Sequence, residues 1–255
     1  MSLNPRHENW QGRRVWIIGA SSGIGAALVS RLQQHGARLA LSARREDALQ
    51  AIAQADDQVL PLDVTDEEAM IQVHRQLIDE WGGIDLVIYS AGTYAPMRSW
   101  DMDLAQVEQA MRINLGGVYT LISRVVPHFL MRGSGGICLV ASVAGYTGLP
   151  KALAYGPFKA ALINLAQILY ADLAPKGIGV YLVNPGFVET RLTEQNDFHM
   201  PALISADEAA LEILKGLSKG RFEIDFPRRF SWWLKRLSRL PDSLRLSLMT
   251  RVARS

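Results

Sequence analysis

Short apolar runs alternate with longer segments of helical periodicity along most of the chain. The runs have the length and composition of buried strands, and the segments between them have the length of amphipathic helices. We predict strands at 15–18, 38–41, 58–62, 85–89, 137–140, 178–183 and 222–226. Strands that alternate with helices favour an α/β fold, a doubly wound parallel sheet with helices on both faces. A ligand of such a sheet binds at the carboxyl ends of its strands.

The periodic segments between these strands carry start and stop signals for helices. We predict the main helices at 66–81, 104–131, 155–173 and 205–217. Asn114 lies in the middle of the second of these, just before Gly116 and Gly117, which indicates a local distortion lined by solvent. The mixed segment 191–204 lies between a strand and a helix, and we expect it to form a lid.

The chain has 255 residues, of which 49% are apolar, so it can bury a large core. Its length would allow two domains, but we find no convincing linker, and we expect one domain at 1–227 with a tail at 228–255. Cys138 is the lone cysteine and lies within a buried run, so no disulfide framework exists. A reducing, cytoplasmic setting is therefore expected. The five histidines show no ligand spacing, and we expect no metal site.

Charge is distributed unevenly along the chain. Residues 228–255 hold eight Arg or Lys against one acid, Asp242, which leaves the preceding residues at about −5 although the whole chain is +2. The main body is therefore not expected to bind nucleic acid. The chain start lacks the apolar block of a signal peptide, and no apolar run reaches the roughly 18 residues that a spanning helix needs.

The tail has the pattern of a basic amphipathic helix. Its apolar stripe is Phe230, Trp233, Leu234, Leu237 and Leu240, followed at helical spacing by Leu244, Leu248 and Val252. Three interpretations stay open. In the first, the stripe packs on its own domain or on a second subunit. In the second, it lies on an anionic membrane surface and places the protein at the inner membrane. In the third, it is a loosely ordered extension.

A glycine-rich turn follows the first strand directly. Gly19, Gly23 and Gly25 have the spacing G-x-x-x-G-x-G, and an apolar-periodic helix begins there. Strand, turn and helix in this order place backbone N–H groups and a helix N-terminus where a pyrophosphate can bind. A glycine-rich turn alone is a weak signal, but its position after the first strand strengthens the prediction of a dinucleotide site.

The second strand ends at Arg44 and Arg45, with no acid at 41–43. In a dinucleotide fold this strand end meets the adenosine ribose, where an acid bonds a 2′-hydroxyl and an arginine accommodates a 2′-phosphate. We therefore predict NADP(H) in preference to NAD(H). The alternative is that both arginines are solvated residues at the start of a helix.

Tyr155 and Lys159 are four residues apart on a predicted helix, and Ser142 ends the preceding strand. That spacing puts the phenol and the ammonium on one helix face. A tyrosine ionises near pH ~10, and we expect the cation, with any cofactor charge and a dry pocket, to lower its pKa toward neutrality. Ser142 would polarise a carbonyl oxygen to which Tyr155 gives a proton. The alternative is a chance pairing, since any long chain has a Tyr four residues before a Lys on some helix.

Together these segments resemble the short-chain dehydrogenase/reductase family, over about residues 12–226. The resemblance implies a catalytic tetrad, Asn114, Ser142, Tyr155 and Lys159. It implies cofactor-binding residues at Gly19, Ser21, Ser22, Gly23, Ile24, Gly25, Arg44, Arg45, Asp63, Val64, Ala91, Gly92, Tyr155, Lys159, Pro185, Gly186, Val188 and Thr190. In this family the tyrosine is the general acid, the serine orients the substrate oxygen and the asparagine supports a water that relays protons.

The resemblance also implies a small carbonyl or alcohol substrate and a homo-oligomer. Relatives usually have Thr and Asn where this chain has Ile18 and Ser90, so we expect a different contact between the two loops. Apolar residues on the segments expected around the substrate cleft favour a lipophilic substrate. These residues are Tyr94, Met97, Trp100, Leu149, Pro150, Phe187, Phe198 and Met200. The alternative to an enzyme is a dinucleotide-binding sensor or scaffold without turnover.

Overall fold

A computed structural model of the chain describes residues 2–195 and 200–254. Within them, seven strands form one parallel sheet in the order β3-β2-β1-β4-β5-β6-β7. The strands are β1 Arg14–Ile18, β2 Arg38–Ser42, β3 Gln58–Val59, β4 Leu86–Tyr89, β5 Gly135–Val140, β6 Ile178–Pro185 and β7 Glu223–Phe226. This order confirms the doubly wound sheet, and the strand order reverses between β1 and β4.

Helices cover both faces of the sheet. They are α1 Gly23–Gln34, α2 Glu46–Gln50, α3 Glu67–Trp81, α4 Leu104–Met111, α5 Gly117–Arg132, α6 Tyr155–Leu173, α7 Ala206–Ser218, α8 Arg228–Ser238 and α9 Asp242–Arg254. Side chains of β1 alternate between two cores: Trp16 packs with α3, α5 and α6, and Ile17 packs with α1 and α7. This alternation is what a strand buried on both faces requires.

The predicted helix at 104–131 is divided by one π-helical turn, Arg112–Gly116. The turn confirms the predicted distortion at Asn114. Asn114 is fully buried, however, so the prediction of a solvent-lined position is wrong. A π-turn is often a functional feature, because it inserts one residue and redirects a side chain.

β3 is shorter than the predicted strand at 58–62. Pro61 follows this edge strand, and an N–H at its position would point away from β2, so no bond to β2 is lost. The backbone still follows β2, since the Leu60 and Leu62 N–H groups donate to Leu41 and Ala43 oxygens, each over 3.0 Å. The chain therefore reaches the carboxyl edge of the sheet as an extended segment.

A partly buried cluster of three charged side chains lies at the amino ends of the strands. Asp85, just before β4, accepts bonds from the Arg14 guanidinium at 2.6 and 3.1 Å and from Arg132 at 3.0 Å. These two guanidinium groups hold the pKa of Asp85 well below its usual range, against the opposing effect of burial. The cluster joins β1, β4 and α5 at the amino ends of the strands.

The N-terminal segment is bound to a strand that is distant in sequence. The Asn4 amide donates to the Val180 oxygen over 2.7 Å and accepts from the Val180 N–H over 3.0 Å. The Tyr181 hydroxyl donates to the Pro5 oxygen over 2.6 Å. Residues of the segment therefore cover the start of β6.

Helix α8 packs on its own domain through only part of the predicted apolar stripe, since Phe230 and Leu237 are half-buried. Ser231 and Leu234 are buried, whereas Trp233 is 67% exposed and Leu240 is also exposed. The Ser231 hydroxyl donates to the Asp225 carboxylate, and Lys235 pairs with Glu223 over 2.8 Å. These polar contacts to β7 set the rotation of the helix and turn Trp233 outward. None of the helices in the described residues is long and apolar enough to cross a membrane.

Candidate active site

A cleft of about 370 Å³ lies at the carboxyl ends of the strands, where the strand order reverses. Most of the predicted site residues line it: Gly19, Ser21, Ser22, Gly23, Ile24, Arg44, Arg45, Asp63, Val64, Ala91, Gly92, Ser142, Tyr155, Lys159, Pro185, Gly186, Val188 and Thr190. Gly25 and Asn114 are not among the lining residues, and each supports a neighbouring segment instead.

The glycine-rich turn brings the start of α1 close to the turn itself. A Cβ on Gly25 would lie 2.1 Å from the Gly19 oxygen, so Gly25 allows close packing of helix on turn. Ser22 precedes α1 without a side-chain capping bond, and the first turn of α1 holds no acid. The N–H groups and the positive end of the helix dipole are therefore available to an anion, as a pyrophosphate requires.

Main-chain contacts join the loops after β1 and β4. The Ser90 N–H donates to the Ile18 oxygen over 2.8 Å. A Cβ on Gly19, whose φ is +92°, would lie 2.5 Å from the Ala91 nitrogen. The backbone itself supplies this contact, and a difference from relatives at positions 18 and 90 stays a prediction.

The two arginines after β2 are exposed at one end of the cleft. Arg45 Nη2 lies 3.3 Å from the Ser21 oxygen and 3.4 Å from Ser21 Oγ. Arg44 borders both the cleft and an adjoining pocket of about 330 Å³ that Asp63 and Arg112 also line. Two cationic side chains at this edge suit a phosphate group better than they suit a ribose hydroxyl.

Ser142 and Tyr155 meet at the other end of the cleft. Ser142 follows β5, Tyr155 is the first residue of α6, and a side-chain hydrogen bond links the two. Ser142 Oγ also accepts from the Ala144 N–H over 3.1 Å and lies 3.4 Å from the Pro185 oxygen. These contacts fix the hydroxyl beside the phenol, as predicted.

Lys159 lies one helical turn after Tyr155 and is 4% exposed. Its Nζ is 5.3 Å from the centroid of the Tyr155 ring and donates to the Val140 oxygen over 3.0 Å. The i, i+4 spacing thus places both groups on one face, which confirms the sequence prediction.

Burial shifts the pKa values of both Tyr155 and Lys159. Burial raises the pKa of Tyr155 to about 12; the bond with Ser142 lowers it and Tyr94 raises it further. Burial lowers the pKa of Lys159 to about 8. Removing water penalises the charged form of each group, and here that effect exceeds their mutual attraction. In the protein by itself burial dominates, and the lowering of the phenol pKa by the lysine together with a cofactor charge stays a prediction.

Asn114 holds the loop that follows β4. Its Nδ2 donates to the oxygens of Ala110 and Thr93, each over 3.0 Å, and its Oδ1 accepts from the Thr93 N–H over 3.3 Å. A Cβ on Gly92 would lie 3.0 Å from Asn114 Oδ1 and 3.6 Å from Lys159 Nζ. The amide, the ammonium and this loop therefore converge beside the cleft.

Aromatic side chains surround the catalytic end of the cleft. The Tyr94 ring meets the Tyr155 ring edge-on at 5.1 Å, and Phe187 packs on Phe230 of α8 at 5.5 Å. Met97 is buried, whereas Trp100 is 80% exposed. Phe198 and His199, together with the middle of the predicted lid, lie outside the described residues.

A cluster of hydrogen-bonded polar side chains around Glu223, behind the cleft, was not predicted from the sequence. Glu223 accepts bonds from the Tyr146 hydroxyl at 2.6 Å, from the Asn184 amide at 2.8 Å and from Lys235 at 2.8 Å. Lys235 also pairs with Asp225 at 3.2 Å. The cluster connects α8 to the loop after Ser142, and the polar alternation of β7 is the one signal that could have indicated it.

Several further residues line the cleft but were not predicted from the sequence, and most of them lie next to predicted residues in the chain. They are Ala43, Leu62, Ser90, Thr93, Ile113, Val140, Ala141, Arg191, Leu192 and Thr193. Thr193 has the clearest role, since its hydroxyl donates to the Val188 oxygen over 2.7 Å and accepts from the Thr190 N–H over 3.0 Å. It thereby closes the turn after β6, and a Thr three residues after Thr190 was the available signal.

Comparison with known proteins agrees with this geometry. Residues 13–200 match the family model described as short chain dehydrogenase. An uncharacterized oxidoreductase of Myxococcus xanthus (strain DK1622) is 34% identical over 238 residues, which make up 91% of this chain and 94% of that protein. A crystal structure of a short-chain type dehydrogenase/reductase from Mycobacterium marinum is 27% identical, with a TM-score of 0.78 over 85% of this chain and 94% of that chain. A short chain dehydrogenase from Burkholderia cenocepacia J2315 in complex with NADP has the same fold at 23% identity, with a TM-score of 0.84 over 94% and 99% of the two chains. The chain therefore belongs to the short-chain dehydrogenase/reductase family, whose members are NAD(P)-dependent oxidoreductases.

Proposed function

We propose that the protein transfers hydride between NADP(H) and a carbonyl compound or secondary alcohol, with Tyr155 as the general acid/base. The observation that carries this proposal is the convergence of Ser142, Tyr155 and Lys159 on one end of the cleft. Bound NADP(H) would supply or accept the hydride. The glycine-rich turn would hold its pyrophosphate and Arg44 its 2′-phosphate.

The side chains at this end divide the proton chemistry among them. A phenol with a pKa of about 12 is protonated at neutral pH, which is the form that can give its proton to a carbonyl oxygen. Ser142, already bonded to that phenol, would donate to the same oxygen and stabilise the charge that develops on it. Lys159 would hold the nicotinamide ribose and stabilise the phenolate left by proton transfer. Asn114 would support a water that returns the proton.

Tyr155→Phe tests the catalytic assignment. It removes the proton donor and keeps the ring, so we expect turnover to fall by at least about a hundredfold, as for loss of a general acid. Cofactor affinity, measured by quenching of protein fluorescence, should stay within about twofold. Tyr119→Phe is the matched control, because Tyr119 is an exposed tyrosine on α5.

A panel of ketones and aldehydes, followed by NADPH absorbance, supplies the substrate for this test. Near-native turnover by Tyr155→Phe would refute the mechanism. Cofactor binding without turnover of any carbonyl or alcohol would instead favour the sensor or scaffold alternative.

Cofactor preference rests on Arg44 and Arg45, which carry positive charge to the edge of the cleft, and on the lack of an acid at 41–43 at the end of β2. Arg44→Ala should raise the Michaelis constant for NADPH by about tenfold or more, because a charged hydrogen bond contributes about 1.5–3 kcal/mol. The constant for NADH should not change. Arg75→Ala, on the exposed face of α3, is the control. A wild-type preference for NADH that Arg44→Ala leaves unaltered would refute the choice of NADP(H).

Two aromatic residues favour a lipophilic substrate: Tyr94, which contacts the Tyr155 ring, and Phe187, which contacts the Phe230 ring. We expect the Michaelis constant to fall along a series of ketones of increasing chain length. A homo-oligomer stays a prediction, and light scattering of the purified protein measures it.

A further inference from the structure

The outward face of α8 combines aromatic and cationic side chains. It consists of Arg228, Arg229, Trp232, Trp233, Arg236 and Arg239. Trp232 is 47% exposed and Trp233 is 67% exposed, although tryptophan usually lies in protein interiors. The Arg236 guanidinium lies 4.4 Å from the Trp232 ring centroid. The helix has no acidic residue.

Helix α9 follows α8 in the chain and also exposes aliphatic residues. Leu244, Leu248 and Val252 lie on one side of α9 and Leu246 on the other, and all four are 41–56% exposed. Asp242, the one acid of the tail, is already bonded to Arg245 at 2.6 Å. The tail therefore presents apolar side chains and nearly unopposed positive charge together.

The chemistry of this surface distinguishes among anionic partners. Arginine alone would suit any polyanion, but exposed Leu and Trp gain free energy only where they can leave water. Tryptophan is favoured at the boundary between acyl chains and headgroups. A contact between two copies through this face would bring like charges together, whereas the headgroups of an anionic bilayer neutralise them.

We propose that the outward face of α8 and α9 binds the surface of an anionic lipid bilayer. The aromatic and aliphatic side chains enter the headgroup region, and the arginines contact lipid phosphates. The inner face of α8 meanwhile contacts Phe187, in the loop after β6, and Glu223, in the polar cluster behind the cleft. Docking through the outward face therefore leaves α8 between the bilayer and the loop after β6, other residues of which line the cleft.

Co-sedimentation of the full chain with vesicles tests the proposal. Binding to vesicles of phosphatidylcholine mixed with phosphatidylglycerol should exceed binding to pure phosphatidylcholine by at least about tenfold and should weaken as salt screens the charges. The double variant Trp232→Ala/Trp233→Ala should lose about tenfold or more in partition coefficient. Trp100→Ala is the matched control, because Trp100 is 80% exposed on another part of the surface. Thermal unfolding of each variant confirms that it is folded.

The charge contribution has its own pair of variants. Arg229→Glu/Arg236→Glu should abolish the preference for phosphatidylglycerol, and Arg75→Glu/Lys176→Glu, which alters exposed cations on other parts of the surface, should not. Equal binding to both kinds of vesicle by the wild type, or an equal loss in Trp100→Ala, would overturn the proposal. So would light scattering in which the two tryptophan substitutions split an oligomer that binds no vesicles, since the face would then join copies of the chain.

Discussion

Replacing Lys159 by Met is expected to stabilise the folded chain while it removes activity. Lys159 is 4% exposed, and burial lowers its pKa from an ordinary 10.5 to about 8. At neutral pH the side chain is therefore charged in both states but less favourably solvated in the folded one. Methionine fills similar space and has no charge to bury.

The expected gain follows from the pKa difference. Each pKa unit corresponds to about 1.4 kcal/mol, so keeping this charge buried at pH 7 costs about 3 kcal/mol. Losing the bond to the Val140 oxygen offsets about 1 kcal/mol. The net gain of about 2 kcal/mol should raise the melting temperature of a chain of this size by roughly 4–8 °C.

The pH dependence separates this cause from better packing. Between pH 8 and 10.5 the unfolded chain binds more protons than the folded one, so the stability of the wild type rises with pH across that window. The advantage of Lys159→Met should therefore be complete below about pH 8, shrink above it, and become a deficit of about 1 kcal/mol above pH 10.5, where only the lost bond to Val140 counts. Thermal unfolding without nucleotide measures it, with Lys176→Met as the exposed control. A variant that melts below the wild type at pH 7, or whose advantage does not change with pH, would refute the reasoning.

Three further substitutions have defined outcomes. Asp85→Asn should lower the free energy of unfolding in urea by about 2–4 kcal/mol at pH 7. The difference from the wild type should shrink as the pH falls below about 4, because a carboxylate with a lowered pKa stabilises the fold only above its unfolded pKa. Tyr146→Phe breaks the bond to Glu223; it should cost about 1 kcal/mol and raise the Michaelis constant for the carbonyl substrate more than that for the cofactor in steady-state kinetics. Gly25→Ala would force a Cβ to within 2.1 Å of a main-chain oxygen, and should weaken nucleotide binding by titration, whereas Gly148→Ala, with open space around it, should not.

The order of elements and the catalytic residues were predictable because their signals are local. A strand, a glycine-rich turn and a helix follow one another within about twenty residues, and Tyr155 and Lys159 are one helical turn apart. Parallel strands then bring their carboxyl ends to one edge, so the topology itself assembles the remaining site residues. The π-turn at Asn114 was likewise indicated by an Asn beside two glycines.

The errors concern properties that depend on contacts between distant residues. The rotation of α8 follows from polar bonds to β7, whereas the hydrophobic pattern placed the exposed Trp233 on one stripe with the buried Leu234. The bond of Tyr146 to Glu223 joins positions 77 residues apart. The sign of the Tyr155 pKa shift depends on how much water the fold removes, and residue spacing contains no such information.

The contact between Asn4 and Val180 can form only late during synthesis of the chain on the ribosome. The two residues are 176 positions apart, so at cellular synthesis rates the ribosome makes Val180 roughly 10–35 s after Asn4. Throughout that interval the Asn4 amide must stay hydrated while the strands behind it begin to assemble. The segment around Asn4 can thus form its native contacts only after β6 has been synthesised.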